Sequence, residues 1–141
     1  MNKKYFLTGG ILLILVIGWA FYKLNKPHMN TADQKADYTL SAADLFRSFQ
    51  KDEPAANKKY LGKVIGIKGI ISNIQASTGN TGILLEASPM GGVNCSFSAV
   101  GAGTFTKLKK GDSLSLKGRC TGFLMDVNLV DCVLTEQSVP E

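Results

Sequence analysis

The sequence predicts a mainly β protein, one small barrel of five strands preceded by an N-terminal transmembrane helix and a short amphipathic helix. Three observations carry this reading. Tyr5 to Tyr22 is an uncharged apolar run between lysines. From Ser41 the apolar residues recur at helical spacing, and after Gly62 that period gives way to β-branched runs and two-residue alternation between glycine-rich turns. With 141 residues, there is room for one domain of about 100 residues plus appendages.

Residues 1–25 read as the anchor. Eighteen residues of helix reach roughly 27 Å, enough for a hydrocarbon core of about 30 Å when aromatic and lysine flanks snorkel. Tyr5, Trp19 and Tyr22 stand where interfacial anchors belong, so the membrane is an expected partner through residues 5–22. A secretory signal is the rival, because Gly18-Trp19-Ala20 offers small residues at a cleavage site. The apolar run continuing through Phe21 and Tyr22 favours the uncleaved anchor, and no cysteine near residue 20 offers a lipidation site. Lys3 and Lys4 balance Lys23 and Lys26, and the short N-terminal tail favours a cytoplasmic N-terminus with the domain periplasmic or extracellular. Secretion after cleavage is the alternative.

Residues 26–37, "KPHMNTADQKAD", read as a polar linker. The domain is expected over residues 38–135. Ser41 precedes a helical pattern with Asp44 in its first turn, an N-cap signature, and Leu45, Phe46 and Phe49 share one face. Pro54 breaks or restarts that helix, and a second short turn ends near Gly62. "KVIGIKGIISNIQ" reads as a long strand able to bend at Gly66 and Gly69. "ASTGNTG" is a hairpin turn leading into "ILLEA", and "SPMGG" turns the chain into "VNCSF". A longer connection around Phe105 and Leu108 follows. "SLSLKGRCTG" alternates cleanly, with Leu114, Leu116, Gly118 and Cys120 on one face, and "VNLVDCVL" is the last strand before a polar tail, residues 136–141. Helix, three strands, a connection and two strands, with a long bent first strand, is the order of a five-stranded OB-fold barrel, with a small sandwich or SH3-like barrel as alternatives.

The stretches "LSAADLFRSFQKDEPAANKKYLGKVIGIKG", "GGVNCSF" and "LKKGDSLSLKGRCTGFLMDVNLVDCVL" resemble a family of bacterial proteins with the tRNA-anti-like OB-fold domain, many of them small exported or membrane-anchored proteins without an assigned activity. The resemblance spans roughly residues 37–134. It implies architecture rather than tRNA binding. It supplies no catalytic motif, and the chain departs from many relatives in lacking a lipobox cysteine.

Charge narrows the partners. The chain carries +5, but residues 1–36 hold five lysines against Asp33, leaving the rest near neutral at +1. Phosphate neutralisation supplies most nucleic-acid affinity, so a near-neutral domain disfavours such a partner. The strands that offer stacking aromatics in oligonucleotide-binding barrels carry only Phe97 here, which reads better as core. Lys107, Lys109 and Lys110 form a small basic cluster, and Phe123 with Met125 at a hairpin tip reads as a contact patch, against simple barrel-end packing.

Cys120 and Cys132 face each other if the last two strands pair around Asp126, and both then point inward on strand parity. An exported domain would join them as a disulfide; otherwise they are two small buried thiols packing as hydrophobes. Cys95 is left over as a packing residue, a reactive thiol or an intermolecular partner. Three cysteines without CxxC spacing and a lone His28 outside the domain give no zinc site, and no histidine in the domain can serve as a base. Asp126 and Asp131 read as a turn residue and a solvent-facing strand residue. The expectation is a membrane-tethered, non-catalytic binding module without cofactor, engaging a protein or envelope glycan, with a nucleic-acid-binding OB domain as the alternative. The oligomeric state is left open.

Overall fold

The computed structural model describes residues 3–24, 31–77, 79–98, 105 and 107–138. Helix α1 spans Lys3–Leu24, strand β1 Tyr38–Ser41, α2 Ala42–Lys51 and α3 Glu53–Tyr60. Then come β2 (Val64–Ser77), β3 (Asn80–Ser88), β4 (Gly91–Ser98), β5 (Ser113–Phe123) and β6 (Val127–Ser138). The sheet runs β1-β2-β3-β4-β6-β5, and a further β2–β5 pairing closes β2 to β6 into a barrel. This is the OB order, with β4 and β6 parallel and the other barrel pairs antiparallel.

Closure depends on the length of β2. Its first half, Val64 to Ile70, pairs with β5, and its second half, from Ile71, pairs with β3 after an irregularity between Ile71 and Asn73. One strand thus bends across the barrel and serves both neighbours, as the expected long first strand requires.

The N-terminal side of the domain starts on local chemistry. Ser41 Oγ accepts the Asp44 N–H at 3.1 Å and donates to the Asp44 carboxylate at 2.7 Å, which caps α2. Asp52 ends α2 and caps α3 by accepting the Ala55 N–H at 3.0 Å, with Pro54 in the first turn, where its missing N–H is harmless. Leu45, Phe46 and Phe49 are buried, and both phenyl rings lie 5.7 Å from Phe123 at one end of the barrel. Burying each such side chain is worth about 1.5–3 kcal/mol. At the end of β4, Phe105 closes on Phe97 with ring centroids 4.7 Å apart.

From Thr31 onward the stretch read as a polar linker is docked on the barrel. Thr31 is buried in a 3-10 turn, and the Lys117 ammonium donates to the Ala32 and Gln34 carbonyls at 2.7 Å each. The Asp37 N–H donates to the Val64 carbonyl at 2.7 Å, and its carboxylate accepts the Val64 N–H at 3.0 Å, guiding β1 into parallel register on β2. This sixth strand was not expected, because its partner lies far along the chain.

A membrane-spanning helix was expected over residues 5–22. A helix covers that stretch, yet among the described residues no helix is long and apolar enough to cross a membrane. The side chains described in α1 are those of residues 10–22, a stretch of roughly 20 Å at helical rise. From Ile11 to Tyr22 its large apolar side chains are all exposed.

The expected Cys120–Cys132 pairing is overturned. Cys120 lies opposite Leu129, and all three cysteines are free thiols. Two steps along β5, Lys117 to Arg119, match three along β6, Val133 to Val130, so β6 carries one extra residue. Asp131 absorbs it at φ 51°, a left-handed conformation that aspartate tolerates better than most residues. Parity inverts at this bulge: Leu129 points inward before it and Cys132 after it, while Val130 and Asp131 both stay part-exposed. Strict alternation would have placed Val130 and Cys132 on one face, but the expected register already fails at the tip, where Phe123 pairs with Val127 about Met125 rather than Asp126, and β5 carries an extra residue between Cys120 and Gly122.

Candidate functional site

The outer face of β4 and β6 meets the C-terminal end of α3 and the β5–β6 turn in an open groove of about 730 Å³. Alternation turns Val93, Cys95 and Phe97 inward and leaves Asn94 and Ser96 outward. The same rule buries Leu129 and leaves Asn128 and Val130 part-exposed on the outside. Asn57, Ser96, Thr121 and Asn128 supply amides and hydroxyls, and Leu61, Phe123, Leu124 and Val130 supply apolar surface. Among the described residues no charged side chain lines it.

Asn94 and Asn128 are tied by a side-chain hydrogen bond of 3.4 Å, and Thr121 Oγ1 donates to the Asn128 carbonyl at 3.2 Å. Beyond Asn94 a smaller recess holds Gln75, Gly82, Leu84 and Asp126. The surface is therefore a continuous neutral strip with amide donors and acceptors, broken by one carboxylate. That carboxylate is already engaged, since Asp126 Oδ1 accepts the Gly92 N–H at 2.7 Å and so fastens the β5–β6 turn to β4.

Of the residues expected to form a contact patch, Phe123 packs its ring against Phe46 and Phe49 while still lining the groove, and Met125 is 80% exposed. Leu124 and Leu61, which sequence reading did not single out, add exposed apolar surface, at 86% and 51%. Gly122 at φ 126° is the turn in the backbone that precedes the hairpin tip. Lys107, Lys109 and Lys110 are exposed just before β5, at the opposite end of that strand from the tip. Eleven residues of strand separate the two by roughly 30 Å. Asp131 holds the bulge, and Asp126 the turn.

Among the inward groups, burial pushes the Cys95 thiol well up, and its hydrogen bond and charge interaction with Cys132 raise it further. Burial also raises Cys120, partly offset by the Gly122 backbone. Both are therefore poor nucleophiles in the folded barrel. Among the described residues no three side chains gather as a metal site.

The sequence matches the tRNA_anti-like family over residues 1–134, and the chain belongs to that family. No curated protein matches it. Among solved structures, a lipoprotein of Klebsiella pneumoniae subsp. pneumoniae, provisionally designated nucleic acid-binding, superposes with a TM-score of 0.59 at 14% identity, covering 70% of this chain and 92% of that one. The Stn1–Ten1 complex of S. pombe gives a TM-score of 0.43 at 18% identity, over 55% of this chain and 60% of that one. An OBody bound to hen egg-white lysozyme gives 0.43 at 10% identity, over 57% and 88%. At these identities the first likeness bears on the fold alone.

Proposed function

We propose that this tRNA_anti-like chain is a non-catalytic binding module, tethered to a membrane by α1 with its barrel outside the cytoplasm, and that it engages a neutral ligand in the β4–β6 groove. The ligand is an envelope glycan or an extended protein segment. The observation that carries this reading is the groove lining, with four amide or hydroxyl side chains beside four apolar ones and, among the described residues, no lysine or arginine. Sugar hydroxyls and peptide groups are recognised by such pairs of polar and apolar contacts. A phosphate backbone asks for a positive surface, which this groove lacks.

The tether is supported by α1 itself. Ile11 to Ile17, Trp19, Phe21 and Tyr22 are exposed on all sides of the helix, and a helix that is apolar all round needs a bilayer or another apolar partner. The absence of any histidine from residues 31–141 and the raised thiols support a non-catalytic role.

Two measurements test the proposal. Protease added to intact cells should remove the barrel from the full chain while α1 stays with the membrane fraction. Titration of the detergent-purified chain with soluble peptidoglycan fragments, followed by NMR, should shift the amides of Ser96, Thr121 and Asn128 independently of salt. Binding of single-stranded oligonucleotide that weakens steeply with salt would replace this reading with the nucleic-acid one.

A further inference from the structure

The β5–β6 register keeps Cys132 apart from Cys120, and the bulge at Asp131 turns Cys132 inward near a different cysteine. Cys95 on β4 lies opposite Leu129 in the parallel β4–β6 ladder. Leu129 Cβ and Cys132 Sγ both crowd the space above Gly118, where a Cβ would stand 3.1 and 2.5 Å from them. Cys132 Sγ therefore sits beside Leu129 on the inner face, next to the residue that pairs with Cys95. Cys95 and Cys132 are both buried in one core cluster, at 0% and 5% exposure. Two buried thiols that share Leu129 as a neighbour across adjacent strands are placed to reach the Cβ separation of about 3.5–4.5 Å that a disulfide takes.

We propose that Cys95 and Cys132 are joined by a disulfide in the exported protein, linking the third and fifth barrel strands through the core, with Cys120 left as a free buried thiol. The proposal rests on the reading that the barrel lies outside the cytoplasm. The oxidant is a disulfide-bearing exchange partner of the thiol–disulfide oxidoreductase class. The Cys132 thiolate attacks one partner sulfur and expels the other as a thiol. The Cys95 thiolate then attacks Cys132 Sγ of the mixed disulfide and expels the second partner sulfur. Two protein thiols are oxidised, one partner disulfide is reduced to two thiols, and the two protons pass to the departing sulfurs. Burial of both sulfurs places the exchange during folding, before the barrel closes.

Gly118 has a defined part in this arrangement. Any side chain there would displace Cys132 Sγ, so the only residue without one stands where the sulfur must pass.

The test takes the full chain in detergent, reduced and denatured, and refolds it in a glutathione redox buffer. Free thiols are then blocked with N-ethylmaleimide, and the protein is cut before aspartates, which puts the three cysteines on separate peptides. The expected product is a Cys95 peptide joined to the Cys132 peptide, lighter by two hydrogens than the free pair, with Cys120 blocked. Cys120→Ala should keep this link and Cys95→Ala should lose it. Three blocked thiols, or a link that includes Cys120, would overturn the proposal. The same trapping on membranes from cells making the chain should give the same link. Reduced thiols there would also overturn it, and the refolding result then separates a wrong location from a wrong geometry.

Discussion

The β4–β6 pair shows two faces made from the same two stretches of chain. Its inner face carries Val93, Cys95, Phe97, Val127, Leu129 and Cys132, all buried, and its outer face carries Asn94, Ser96, Asn128 and Val130. The inner face is packed so closely that Gly118 has no room for a methyl group. The outer face is a polar strip over an open groove, whose side chains the fold does not need. On the proposed reading, stability and recognition are divided between alternate residues of the same strands. Substitutions should sort by face more than by position along the chain.

The largest effect is expected where the inner face is plugged. Phe46→Ala removes a ring packed on Phe123 and should lower unfolding free energy by about 3–5 kcal/mol in a urea titration. A loss below about 1 kcal/mol would mean that α2 is an appendage and that the barrel closes without it. Next comes the clasp between the faces. Asp126→Ala leaves the Gly92 N–H without its acceptor and should cost about 1–3 kcal/mol, with Asp126→Asn recovering part of it. Equal losses in both variants would assign the effect to the turn rather than to the hydrogen bond.

Alkaline pH probes the inner face alone. Cys95 and Cys120 have raised thiol pKa values in the folded state, so their contribution is fully present below the unfolded value of about 8.5. Above it the unfolded chain releases protons that the folded one keeps. Stability of the reduced protein should therefore fall by up to about 1.4 kcal/mol per pH unit for each thiol, until the folded values are reached. Urea titrations between about pH 8 and 10 measure this slope, and it should shrink in Cys95→Ala.

The smallest change in stability belongs to the outer face. Ser96→Ala and Leu124→Ser should alter unfolding free energy by less than about 0.5 kcal/mol. The same two variants should weaken groove binding at least about tenfold, roughly 1.4 kcal/mol, in the NMR titration. Loss of stability without loss of binding would break the division between the two faces.

Much of this architecture was legible because it is local. Capping by Ser41, the interruption at Pro54, and the change of period after Gly62 are all read within a few residues, and the strands fall close to their expected spans. The inward set on β5, Leu114, Leu116, Gly118 and Cys120, follows from alternation alone. The groove was only half legible. The hairpin tip was read as a contact patch of Phe123 and Met125; Leu124 joins Phe123 in lining the groove there, and Leu61 arrives from just after α3.

What the sequence by itself determined is therefore the identity and order of the elements, since periodicity, caps and turn residues act over one or two turns of chain. Two features were left to the tertiary structure: the docking of residues 31–37 and the bulge at Asp131. The Lys117 contacts with Ala32 and Gln34 span more than eighty positions. The bulge is set by how many residues each strand must supply to close the barrel, a condition on two strands at once. No local pattern encodes that count, so the partner of Cys132 could be read only after β4, β5 and β6 were in place.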